Sequence, residues 1–178
     1  MPRPLVAHEG VAMLAVLLVI VILTISAVPM LEIARQTQIR AMKQQLVGLL
    51  NKEAKEYLEI GIFSVQRANG IPPSFGQTQS SKVRELATIC GRRITTIDPD
   101  LLGTVSLTDN NTVYNSQVTI SNNRWVGQFI LDKSDNATGF KRYAVISCAI
   151  SDDGELGVYG AEIASTRNAY FTVSFGKY

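Results

Sequence analysis

The sequence predicts an α+β protein: a long N-terminal helix, transmembrane and then amphipathic, packed on a C-terminal, mostly antiparallel β-sheet. Three observations predict it. Residues 11–31, VAMLAVLLVIVILTISAVPML, are 21 consecutive positions without a charge, and Thr24 and Ser26 are their only polar side chains. Residues 32–59 contain no proline, and their apolar positions recur at spacings of three and four, the mark of a helix with one buried stripe. Beyond Asp98-Pro99-Asp100 the period becomes two, in runs rich in Val, Ile, Thr and aromatics, as in strands.

The apolar run comes first. At about 1.5 Å rise per residue it makes a helix about 31 Å long, the hydrocarbon thickness of a bilayer. Soluble core helices rarely run this far uninterrupted, so residues 11–31 read as a membrane span. The preceding MPRPLVAHEG carries Arg3 as its only unambiguous cation. Three readings compete for it: a cleaved secretory signal, a permanent signal anchor, or a leader cut after Gly10. Secretory cleavage after Ala27 would put Ile25 where a small residue is needed and Pro29 second in the product. That reading is the poorest of the three.

In the amphipathic stretch Ile39, Met42, Leu46, Leu49, Leu50, Ala54, Tyr57 and Leu58 form the stripe, with Arg35, Arg40, Lys43, Lys52 and Lys55 mostly off it. Pro29 is expected to kink the helix without ending it. Gly48 is a second soft point, costing about 1 kcal/mol relative to alanine. Gly61 and then Asn69-Gly70-Ile71-Pro72-Pro73 are expected to stop the helix. The resulting division is a leader at 1–10, a helix at 11–60 with its transmembrane half at 11–31, and an extracytoplasmic α+β head at 61–178. Within the head, a polar loop leads to a short helix at 81–90, capped by Ser80 or Ser81, with Glu85 in reach for a capping box.

Strands are expected at 104–107, 112–120, 125–132, 142–150 and 169–175, joined by turns at Asp109-Asn110-Asn111, Asn122-Asn123, Ser134-Asp135-Asn136 and Asp152-Asp153-Gly154. Short strands and short turns make an antiparallel meander, and the helix stripe from Ile39 to Leu58 supplies its partner layer. Gly154, Gly157 and Gly160 lie in GELGVYG. No helix pattern follows, so this is a glycine-rich hairpin and not a phosphate fingerprint.

The chemistry is sparse. Cys90 and Cys148 are the two cysteines; in an oxidising compartment they would pair, closing a loop of about 59 residues worth about 4 kcal/mol in the chain-entropy model. The alternative is two buried free thiols in a cytosolic domain. The single histidine is His8, so the head has no His-based triad or general base, and no Cys or His pair has zinc spacing. No catalytic residue, metal or cofactor is expected. Asp132, Asp135 and Asn136 depart from an EF-hand loop, with Ala137 where glycine is needed, and read as solvated turn residues. Arg92-Arg93 and Lys141-Arg142 read as solvated basic pairs, with nucleic-acid phosphate as the lesser alternative. A net charge of +2 implies no strong field. Arg35, Arg40 and Lys43 outnumber Arg3 near the span, so the positive-inside count alone keeps the larger part in the cytoplasm. The cysteine pair and the leader argue for export, and the head is placed outside.

A short leader ending in Gly10, an apolar helix with an early Pro29, an amphipathic continuation, a polar loop and a terminal sheet with a disulfide resemble the type IV pilin and pseudopilin superfamily. The specific motif lies in residues 10–31. The resemblance implies cleavage between Gly10 and Val11 by a prepilin peptidase. It also implies a subunit inserted in the inner membrane and then polymerised into a type IV pilus-like or type II secretion-like filament. Leu14, Leu18, Ile22 and Pro29 would lie on the assembly helix. The lipid bilayer, identical or related pilin subunits and an inner-membrane assembly machinery would be the partners, and the filament would end up extracellular. Family members usually carry a glutamate at the fifth mature position, here Ala15, and a proline slightly later than Pro29; lack of that glutamate is associated with some minor, tip-located subunits. The alternative function is a membrane-anchored extracytoplasmic binding module that does not polymerise.

Overall fold

The computed structural model describes residues 6–77, 80–116, 119–121, 123–134, 140–166 and 169–177. The chain divides into two compact units, Met1–Gln45 and Leu46–Tyr178. Helix α1 (Val6–Ala68) contributes residues to both.

In the first unit every described side chain is exposed, Ile39 and Met42 included. Thr24 donates to the Ile20 carbonyl at 2.6 Å and Ser26 to the Ile22 carbonyl at 2.7 Å. Both hydroxyls are thus satisfied by the helix's own previous turn and need nothing from the surroundings. Pro29 lies inside the helix, which continues through it; the missing N–H leaves one carbonyl, that of Ile25, without its usual donor.

In the second unit the buried stripe of α1 is Leu50, Ala54, Leu58, Gly61 and Val65. The expected stripe was displaced at both ends: Ile39, Met42 and Leu49 are exposed, while the helix continues eight residues beyond Ile60 to Ala68. Gly61 is the reason for the second. A Cβ there would lie 2.9 Å from Val145 Cγ1, so this glycine permits close packing and does not break the helix. The side-chain amide of Gln128 also donates to the Tyr57 carbonyl at this point. The stop comes at Asn69, with φ 53°, and Gly70, with φ 155°, a left-handed exit that closes the last turn.

Among the described residues the sheet has six strands, all pairings antiparallel: β1 (Val113–Asn115), β2 (Thr119–Ser121), β3 (Arg124–Asp132), β4 (Lys141–Ser151), β5 (Leu156–Thr166) and β6 (Ala169–Lys177). The order is β1-β3-β4-β5-β6, with β2 also pairing β3. Alternate residues of the central strands serve two different cores. Ile130, Val145, Ala161 and Ile163 pack with Leu58 and Val65 of α1, whereas Phe129, Leu131, Ile146, Cys148 and Val158 pack with α2 (Ser81–Ile97) and α3 (Pro99–Leu102). The architecture is therefore helix, sheet, helix, and not the expected sheet with one partner layer. Double coverage explains why 126–131 and 143–149 are buried without alternation.

Other expectations shift for local reasons. α2 runs to Ile97, well past 90, because Val83, Leu86, Ala87, Cys90 and Ile94 keep one buried face. Ser80 caps it, accepting from the Val83 N–H at 3.3 Å. Glu85 lies two positions too late for the capping box and instead meets Lys82 at 3.5 Å. Residues 104–107 form no strand; they are the connection after α3 that carries buried Leu107. The expected strand at 112–120 is two short ones, β1 and β2. The Ser134-Asp135-Asn136 turn falls partly outside the described residues, as does Asn122 and the first half of the leader.

The glycine-rich segment does lie on a hairpin, β4 to β5, and what the sequence did not indicate is the strand β5 itself. Gly154, with φ 82°, makes the turn, but Gly157 and Gly160 lie inside the 11-residue strand β5. A Cβ on Gly157 would lie 2.7 Å from the Leu50 carbonyl carbon and 2.8 Å from the Asn51 nitrogen. The helix backbone rests directly on this strand position. Gly48 has nothing within 4 Å of a built Cβ. Opposite signs follow for two alanine substitutions, read by denaturant unfolding of the full chain in detergent micelles. Gly157→Ala should lose about 1–3 kcal/mol through overpacking, and Gly48→Ala should gain up to about 1 kcal/mol from helix propensity.

Candidate functional site

The largest chemical feature of the first unit is its uncovered apolar surface. From 11 to 31 the helix is apolar all round, and Leu14, Leu18 and Ile22 are 68%, 54% and 53% exposed. Burying such a side chain is worth about 1.5–3 kcal/mol. The 15 exposed Val, Leu, Ile and Met side chains of this stretch, each roughly half uncovered, leave on the order of 20 kcal/mol unrealised. That exceeds the roughly 5–15 kcal/mol net stability of an ordinary domain. The helix is long and apolar enough to cross a membrane, and its most apolar window is not buried within the chain.

The chain matches no protein-family profile, no curated protein and no solved structure. Its functional reading rests on its own geometry.

Gly10 and Val11, the expected cleavage pair, lie inside α1, and both are exposed. A Cβ on Gly10 would meet nothing within 4 Å, so packing within the chain does not require glycine there. Ala15 lies one turn after Val11 on the same side of the helix and presents a methyl group. The expected assembly residues Leu14, Leu18, Ile22 and Pro29 lie on this one exposed helix.

The remaining expected residues lie in the second unit. Cys90 of α2 and Cys148 of β4 are bonded, with Cα atoms 6.3 Å apart, and both are fully buried. The link staples α2 and its core to the sheet. Arg92 and Arg93 are exposed, but the Lys141-Arg142 pair is engaged within the chain: Arg142 meets Glu162 at 2.7 Å and Lys141 donates to the Asn69 carbonyl at 3.4 Å. Asp132 accepts from the Ser134 N–H at 2.9 Å, as a turn residue does, while Asp135 and Asn136 lie outside the described residues. Among the described residues no three His, Cys, Asp or Glu side chains gather as metal ligands.

Among the described residues two titrations are displaced. The Asn111 N–H and the Thr112 hydroxyl bonded to Asp109 hold its carboxyl below the ordinary range. Burial first, and then the nearby Asp132 carboxylate, push the Tyr143 phenol up.

Two features escaped the sequence reading. Leu49, Ile60 and Phe63 remain 42%, 56% and 62% exposed on the side of α1 turned from the sheet. Phe63 was hidden because the helix was expected to end before it. The second feature is a half-buried ion pair, Arg124 to Glu53 at 3.1 Å, which ties β3 to α1. Only the alternation of charge along 52–59 hinted at it, and that pattern equally predicts the exposed pairs Lys52–Glu56 and Lys55–Glu59 at 3.8 Å.

The uncovered helix makes a direct prediction. Leu18→Lys should cost about 2.5–3.5 kcal/mol of insertion at the helix centre. Carbonate extraction of membranes should then release a larger share of the variant than of the parent chain.

Proposed function

We propose that the protein is a structural subunit of a type IV pilus-like or type II secretion-like filament. It is held in the inner membrane by residues 11–31, cut between Gly10 and Val11 by a prepilin peptidase, and polymerised through the same helix by an inner-membrane assembly machinery. Its partners are identical or related subunits and, before assembly, the lipid bilayer. It is not an enzyme in this reading, which is supported by a head without histidine. The extracytoplasmic placement is supported by the Cys90–Cys148 bond, since such bonds persist in oxidising compartments.

The observation that carries the reading is an apolar helical surface with no cover inside the chain, on the helix that also packs on an antiparallel sheet. Lipid can cover that surface first and the helices of other copies afterwards, since both are apolar. The bonded hydroxyls of Thr24 and Ser26 suit either setting.

Ala15 bears on the subunit's place in the filament. Burying an unpaired amine at Val11 is costly without an acceptor, and Ala15 supplies none. A terminal or first subunit has no such requirement, so we read the chain as a minor subunit. The same residue also suits a membrane-anchored module that never polymerises.

Sequencing of the mature N-terminus separates these readings. The filament reading expects Val11 as the first residue. An intact leader beginning at Met1 in all of the membrane-bound protein would leave only the plain anchor.

A further inference from the structure

The second unit carries a surface groove that the filament reading does not use. It lies between the first turns of α2, the start of β3 and the β4–β5 turn, and encloses about 360 Å³, the small end of the range for ligand sites. Its centre is Trp125, the one tryptophan of the chain. The indole N–H donates to Asp152 Oδ1 at 3.3 Å, which holds the ring. Leu86, Ile89 and Ile150 line the groove as an apolar wall, and Glu85 stands at its edge.

A cation already lies on the ring. Lys82 Nζ is 4.8 Å from the indole centroid, within the range of a cation–π contact, and 3.5 Å from Glu85 Oε2. The Lys82 and Glu85 side chains are 56% and 62% exposed, and exposed pairs of this kind are weak. Lys82 can therefore swing into solvent at little cost. With Lys82 withdrawn, the groove offers a π face, an apolar wall and the carboxylates of Glu85 and Asp152. That set complements a positive charge on a long aliphatic stem, which is what Lys82 itself presents.

We infer that the groove around Trp125 receives a lysine side chain of a partner polypeptide, and that Lys82 occupies it as an internal stand-in until the partner arrives. The wall of Leu86, Ile89 and Ile150 holds the methylene stem, the indole face and the two carboxylates hold the ammonium, and the partner's lysine displaces Lys82. This inference concerns the second unit alone and does not depend on filament assembly.

Trp125 makes the test direct, because the intrinsic fluorescence of the full chain in detergent micelles reports one tryptophan. The probes are a blocked pentapeptide with one central lysine, the same peptide with norleucine, and tetramethylammonium chloride, all at constant ionic strength. The lysine peptide should shift the Trp125 emission saturably. Lys82→Ala should tighten it about threefold to tenfold by removing the competitor, and Lys82→Gln should do the same. Asp152→Asn keeps an oxygen for the indole N–H but loses the charge, and should weaken binding about tenfold. The inference is overturned if neither Lys82 variant binds more tightly, if norleucine binds as well as lysine, or if tetramethylammonium alone matches the lysine peptide.

Discussion

Contact between the backbone of α1 at Leu50 and strand β5 at Gly157 sets the packing of the second unit. A side chain at 157 would stand inside the helix backbone, so the strand has none. Gly157 is paired across the sheet with Ala149, which packs beside Leu50 and Ala54. Small residues let the helix settle close, and Gly61 repeats the device against Val145 further along. Close approach then brings polar groups within reach: Arg124 meets Glu53, and Gln128 reaches the Tyr57 carbonyl. These contacts fix rotation and register, which apolar packing alone leaves loose. The opposite face of the sheet is held by α2 through the buried Cys90–Cys148 link, so the central strands are clamped between two helical layers.

The first unit poses the reverse problem. The second unit buries its apolar side chains among one another, whereas residues 11–31 have no partner within the chain. An uncovered apolar surface worth on the order of 20 kcal/mol favours a non-aqueous environment. The helix satisfies both of its hydroxyls itself, with Thr24 and Ser26 bonded to the previous turn; the Ile25 carbonyl opposite Pro29 is the exception. Its side chains can therefore pass from lipid to protein without exposing an unsatisfied hydroxyl. This transferability underlies the filament proposal.

Much of this was legible in the sequence, and the misses have physical causes. The α+β class, the apolar span and the cysteine partnership could be read because charge absence, helical period and cysteine number are local signals. Strands β3, β4 and β6 were placed to within a residue or two because their β-branched and aromatic residues are dense. β5 was missed because Gly157 and Gly160 dilute its pattern; the demand for glycine comes from α1, more than a hundred residues earlier in the chain. The end of α1 was misread for a related reason, since Gly61 looks like a stop when its neighbour Val145 is unseen. The second helical layer left a trace in the unalternating runs of β3 and β4, which buried positions on both faces require. At the candidate site, the helix surface was fully legible. The Trp125 groove was not, because Lys82, Trp125 and Asp152 come together only through the fold.

Self-association through the first unit is the central claim, and crosslinking tests it most directly. Leu18→Cys places a thiol in the middle of the uncovered helix, and among the described residues both native cysteines are bonded to each other. Cells carrying this variant would be treated with a membrane-permeant bis-maleimide, and material sheared from their surface would be separated by size. The account predicts covalent dimers of the chain, or of the chain with a related subunit carrying its own cysteine, in that sheared fraction. Recovery of the chain only as an uncrosslinked monomer confined to the membrane would contradict it.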